Sequence, residues 1–116
     1  MQTIPLHDIA HSRSGDKGNH ANVAILAYTA AGYDWIKQHV TTNAIEQFFA
    51  SLGSSKVERF EAANVNALNF MLYDALGGGA SRSLRIDTQG KALGQAVLQM
   101  RIPKPDNLDA MTYSKQ

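Results

Sequence analysis

The strongest constraint on the fold lies at Ala21 to Thr29, Ala-Asn-Val-Ala-Ile-Leu-Ala-Tyr-Thr, a run that is apolar at both odd and even positions. Such a run is expected of a strand covered on both sides or buried at the centre of a sheet, so the rest of the chain must supply its covering. The residues just before it have the opposite character. His11 to Asn22 reads His-Ser-Arg-Ser-Gly-Asp-Lys-Gly-Asn-His-Ala-Asn, with two each of Gly, Ser, Asn and His and with Ala21 as its only apolar residue. Between two strands, this predicts a polar, glycine-rich loop. Gly15 and Gly18 can take backbone angles closed to other residues, letting successive N–H groups converge on an anion while Arg13 and Lys17 supply charge. The same residue types are ordinary turn formers, and a plain turn is the competing reading.

A chain of 116 residues with 44% apolar content fits one compact domain. Its formal charge of +1, with 11 basic against 10 acidic residues and no block of like charge, leaves no electrostatic footprint for nucleic acid or an anionic membrane. With no cysteine there is no disulfide framework, thiolate nucleophile or Cys-ligated metal. No signal-like N-terminus or long apolar run is present, so a cytoplasmic location is expected.

Thr3 to Ala10 alternates loosely and contains Pro5, which predicts an edge strand. The polar loop then feeds a strand and not a helix, so neither the P-loop nor the Rossmann phosphate turn matches. Tyr33 to Val40 is helical in pattern. From Thr42 to Gly53, Ile45, Phe48, Phe49 and Leu52 recur at helical spacing, Asn43 with Glu46 resembles a capping box and Gly53 is a natural stop. That aromatic stripe suits a helix lying on a sheet better than a cofactor platform. Lys56 to Ala62 predicts a strand. Asn66 to Leu76 places Leu68, Met71, Leu72 and Ala75 on one helical face and ends against Gly77, Gly78 and Gly79, which predicts a second helix. Three glycines exceed the need of a helix stop, and Ser81, Arg82 and Ser83 follow them directly. Ser83 to Asp87, Thr88-Gln89-Gly90 and the alternating run Ala92 to Ile102 then predict a hairpin. The domain is expected to span residues 1–102, with residues 103–116 as an extended or disordered tail.

Two stretches, Ser12-Arg13-Ser14-Gly15-Asp16-Lys17-Gly18-Asn19 and Leu76 to Lys91 (Leu-Gly-Gly-Gly-Ala-Ser-Arg-Ser-Leu-Arg-Ile-Asp-Thr-Gln-Gly-Lys), with Asn69-Phe70 between them, carry a family resemblance. The chain resembles the small ferredoxin-fold domain of the acyclic terpene utilisation proteins, the AtuA-like family, over most of Ile4 to Ile102. The resemblance implies an α+β, ferredoxin-like α/β sandwich with two or three helices packed on a mostly antiparallel sheet. It also implies a setting in the breakdown of branched or terpenoid acids through coenzyme A thioesters. In the family this domain commonly follows a much larger core domain and also occurs as a separate small protein. The resemblance carries over no catalytic residues.

Two functions are therefore expected. In the first, the chain is a small subunit or accessory domain that partners an AtuA-like core protein and contributes its glycine-rich polar loops to an anion or acyl-CoA site. The ligand-binding candidates are Arg13, Ser14, Gly15, Asp16, Lys17, Gly18, Asn19, Gly78, Gly79, Ser81 and Arg82. In the second, the chain stands alone as a homo-oligomeric acyl-CoA hydratase- or lyase-like enzyme or anion-binding module. Arg13, Lys17, Arg82 and Arg85 would then hold phosphate or thioester groups, and Asp16 or His20 would act as general base. Asp16 as an Asx-turn former, and Arg82 and, more so, Arg85 as a solvated strand face paired with Asp87, are the plainer alternatives. A metal site from His7, His11, His20 and Asp16 fits less well. Four residues of extended chain would hold His7 and His11 roughly 13 Å apart unless the chain turns between them. A local Ser-His-Asp triad fits least, because triad members converge from distant segments. No cofactor, no metal, no nucleic acid and no membrane is expected, and homo-oligomers are expected where the chain has no core protein.

Overall fold

The computed structural model describes residues 2–18, 20–75 and 93–113, with the backbone alone at 16, 17 and 51. Its centre is a four-stranded antiparallel sheet in the order β2 (Ala10–Lys17), β3 (His20–Ala27), β5 (Ala67–Tyr73), β4 (Lys56–Ala62). A second, two-stranded sheet pairs β1 (Thr3–Pro5) with β6 (Arg101–Pro103). The apolar run after the polar stretch is the interior strand it was expected to be. Its burial alternates: Ala21, Val23, Ile25 and Ala27 are buried, while Asn22, Ala24 and Leu26 on the opposite face are half-buried.

On the buried face lie α1 (Ala30–His39) and α2 (Thr42–Phe48). Each is opened by a threonine cap: Thr29 Oγ1 accepts from Gly32 N at 3.0 Å and Thr41 Oγ1 from Ala44 N at 3.1 Å. Thr41 therefore does the capping expected of Asn43 and Glu46. α2 ends at Phe48, a 3-10 turn carries Ala50 to Leu52, and Gly53 stops it at φ +66° as expected. Ile45 and Phe49 turn into the core, whereas Phe48 points out. Residues 93–97 form a third helix, α3, so among the described residues three helices pack on antiparallel sheets in an α+β, ferredoxin-like arrangement.

Four expectations are corrected. The strand expected from Thr3 to Ala10 is interrupted by a 3-10 turn at Leu6–Asp8, which buries both Leu6 and Ile9; an unbroken strand would have placed them on opposite faces. The helix expected from Asn66 to Leu76 is, as far as the described residues go, a strand: Asn66 turns at φ 57° and β5 follows, burying Leu68, Phe70 and Leu72 at a period of two. The Ala92 to Ile102 return strand is replaced by α3 and the short β6, with Leu93, Val97 and Met100 buried at spacings of four and three. Residues 104–113 lie on the body: Lys104 N donates to Gln2 O at 3.1 Å, Pro105 is buried, and Met111 joins the core at 3% exposure. The expected Ser83 to Gly90 hairpin and the glycines from Gly77 fall outside the described residues.

The two sheets share one core, in which Ile4, Leu6 and Ile102 meet Ile25, Phe70 and Val97. The Trp35 indole N–H donates to Pro103 O at 2.8 Å and ties α1 to β6. Among the described residues no helix is long and apolar enough to cross a membrane.

Candidate functional site

The polar stretch is a hairpin and not a loop. Ala10 to Lys17 form β2, and Gly18 at φ +63° turns the chain so that Lys17 faces His20 across the pair. Among the described residues of the stretch only Gly18 uses a left-handed angle. Gly15 lies in the strand opposite Asn22, and a Cβ on it would meet nothing within 4 Å. Strand geometry sends alternate residues to opposite faces, so the stretch cannot wrap its N–H groups round one anion as expected of a loop.

Ser12 and Ser14 share the face of Val23 and Ile25, and there they hold α3. Ser12 Oγ donates to Gly94 O at 2.5 Å, and Gly94 N donates to Ser14 Oγ at 2.9 Å. Alongside these bonds runs a cleft of about 490 Å³ lined by His11, Ser12, Arg13, Ser14, Gly94, Gln95 and Leu98. Arg13 is exposed and has no carboxylate partner among the described residues. A guanidinium in that state keeps its planar fork of donors for a carboxylate or phosphate. Of the lining residues Arg13 and Ser14 are binding candidates in the sequence, whereas Gly94, Gln95 and Leu98 are not, because their segment has the alternation of a strand.

Arg13 belongs to the face opposite α1 and α2. Across the sheet its row runs Arg13, Ala24, Asn69, Phe60. The next row is Gly15, Asn22, Met71, Glu58, and Asn22 Nδ2 donates to Asn69 Oδ1 between the two. The third row holds Lys17, His20, Tyr73 and Lys56. No described helix covers this face.

His20 stands at its end, ring edge to Tyr73 with centroids 5.1 Å apart. Its Nδ1 accepts from Asp74 N at 2.9 Å, which places the neutral ring's proton on Nε2. His20 thus offers a donor to the surface, and the lone pair a general base would need is already engaged. The bond exists because Asp74 takes φ 59°, a left-handed angle. Tyr73 Oη donates to Glu58 Oε1 at 2.6 Å, and Lys56 Nζ lies 3.3 Å from Glu58 Oε2. The Tyr73 bond, helped by Lys56, holds the Glu58 carboxyl below its ordinary range, and the same bond raises the Tyr73 phenol.

The other candidates are dispersed. His11 stacks on Tyr28 at 5.5 Å, and His7 lies in the 3-10 turn beside Asp8. Among the described residues no group of three or more His, Asp or Glu is placed to hold a metal ion. Asp16 and Lys17 are placed by backbone on opposite faces of β2, while Asn19, Gly78, Gly79, Ser81, Arg82 and Arg85 fall outside the described residues. The chain leaves the described fold at Ala75, next to the Asp74 that bonds His20. It returns at Leu93, next to the Gly94 that bonds Ser14.

The family model of the AtuA ferredoxin-like domain matches residues 4–103. The chain belongs to this family. Comparison with the curated proteins and with the solved structures gave no match. The matched span of the AtuA ferredoxin-like domain takes in every strand of both sheets except the first residue of β1, so the polar strand, the uncovered face and the Gly94 cleft all belong to the family's domain.

Proposed function

We propose that this chain is an accessory subunit that packs against an AtuA-like core protein and presents Arg13 to an anionic ligand of the acyl-CoA class. The observation that carries the reading is Arg13 itself. It is exposed, without a carboxylate partner among the described residues, and set on a strand at the lip of the 490 Å³ cleft. A cation held on a strand loses less freedom on binding an anion than one on a loop, so its placement favours binding. The uncovered sheet face beside it offers the core protein a surface in which half-buried Ala24, Leu26 and Met71 surround the Asn22–Asn69 pair. The cation would serve recognition of phosphate or carboxylate, and the reaction would belong to the assembled complex.

The test is co-expression with the AtuA-like core protein of the same source, followed by size-exclusion chromatography and assay on branched acyl-CoA thioesters. A complex active only with both chains, and weakened in its thioester affinity by Arg13→Gln without loss of assembly, is the expected result. Two proteins that elute separately would overturn the reading.

A further inference from the structure

We infer that two copies of this chain join edge to edge through β4, in an antiparallel two-fold pairing centred on Phe60. The inference does not depend on the core protein. Among the described residues β4 pairs with β5 on one side and with nothing on the other. It is seven residues long and contains neither Pro nor Gly, so nothing in its backbone obstructs a further strand.

The hydrogen-bond phase of the sheet decides which groups point outward. Ala27 N donates to Asn66 O, which makes Ile25 with Leu68 and Val23 with Phe70 hydrogen-bonded pairs and turns the backbone of Asn69 and Met71 towards β4. Phe60 with Asn69 and Glu58 with Met71 are then the bonded pairs of β4 with β5. The backbone N–H and C=O of Val57, Arg59 and Glu61 are left facing out.

A two-fold axis that reverses the strand must run perpendicular to the sheet, so facing residues lie on the same side and their numbers share parity. Of the registers this allows, pairing Glu58 with itself or Arg59 with itself sets like charges in contact. Pairing Phe60 with itself does the reverse. Arg59 of each copy then faces Glu61 of the other in the two bonded pairs, and the phenylalanines meet in the unbonded pair between them, where side chains approach most closely. Phe60 is 49% exposed, and Arg59 is already fixed by Lys37 O at 2.9 Å and Val40 O at 3.2 Å beside its own Glu61 at 2.9 Å. The cation is therefore placed before a second carboxylate arrives. A strand edge guarded only against pairing carries charges that clash when it meets its own copy, whereas these cross-pair.

The experiment is sedimentation of the full chain over a range of concentrations, with oxidative cross-linking of single-cysteine variants. The chain has no cysteine, so each introduced thiol is the only one. Phe60→Cys puts the two thiols on the axis, at the spacing of an unbonded antiparallel pair that a disulfide can bridge. Phe48→Cys, at a similarly exposed phenylalanine on α2, is the control. Expected are a mass of two chains, cross-linking of Phe60→Cys well ahead of Phe48→Cys, and association weakened about tenfold by Glu61→Arg, which replaces two attractive pairs by repulsive ones. A one-chain mass at every concentration, or cross-linking of Phe60→Cys no faster than the control, would overturn the inference. Since no core protein takes part, either result leaves the accessory-subunit reading as it stood.

Discussion

Tyr73 and Glu58 are diagonal neighbours across β4 and β5, since Tyr73 faces Lys56 and Glu58 faces Met71. Their 2.6 Å bond links two ionisations. Because the Glu58 carboxyl is lowered in the fold, its stabilisation is present above the ordinary value of 4.5 and is lost as pH falls through the lowered one. Because the Tyr73 phenol is raised, its share is present below 10.0 and is lost as pH rises through the raised value. Tyr73→Phe should therefore destabilise the chain most near neutrality, and the difference from the unsubstituted protein should shrink well below pH 4.5. Urea denaturation of both proteins at the two pH values measures this. A difference unchanged in acid would mean that the phenol acts without the Glu58 charge. His20, a few ångströms away, shows what single residues conceal in a sequence. Its candidacy as a base was legible from residue type, but the left-handed Asp74 that engages its Nδ1 was not.

Elements were legible where only one period fitted the residues. β4 has the bounds expected of it, and the Gly53 stop was evident from its position. β5 was misread because Leu68, Met71, Leu72 and Ala75 fit a helical face as well as Leu68, Phe70 and Leu72 fit a strand face. In a run this short only the neighbouring strands decide between them. The same ambiguity turned α3 into a strand and hid the side of the cleft that Gly94 forms. Glycine at 94 now has a physical reason: a Cβ there would stand 2.8 Å from Ser14 Oγ and 3.3 Å from Ser14 Cβ. Gly94→Ala must either turn Ser14 away from the Gly94 N–H or push α3 off β2. The gain in helix propensity offsets part of that, and a net loss of about 1–2 kcal/mol is expected. Gly15→Ala, which meets nothing within 4 Å, should cost little. Equal melting midpoints for the two variants would show that the close approach at Gly94 does not constrain the fold.

At the scale of the whole molecule, the folded body is larger than the span the family shares. The match ends at residue 103, and the change to Pro, Lys and polar residues there read as the start of a tail. Composition described the surface of that segment but not the few residues that anchor it. Pro105 and Met111 are buried, Leu108 packs against the core, and the Tyr113 ring lies 5.2 Å from that of Tyr28, which in turn stacks on His11 at the foot of β2. Three apolar anchors in ten residues suffice to hold a segment that hydropathy alone would release. Met111→Ala removes most of a fully packed side chain and should cost about 2–5 kcal/mol. A domain of this size has only about 5–15 kcal/mol in hand, so a chain ending at Pro103 should remain folded narrowly or not at all, although it keeps the entire matched span. Urea denaturation of the full chain, Met111→Ala and the shortened chain orders the three. A shortened chain as stable as the full one would mean that residues 104–113 rest on the core without supporting it. The expected loss would make them an integral part of the fold that carries Arg13.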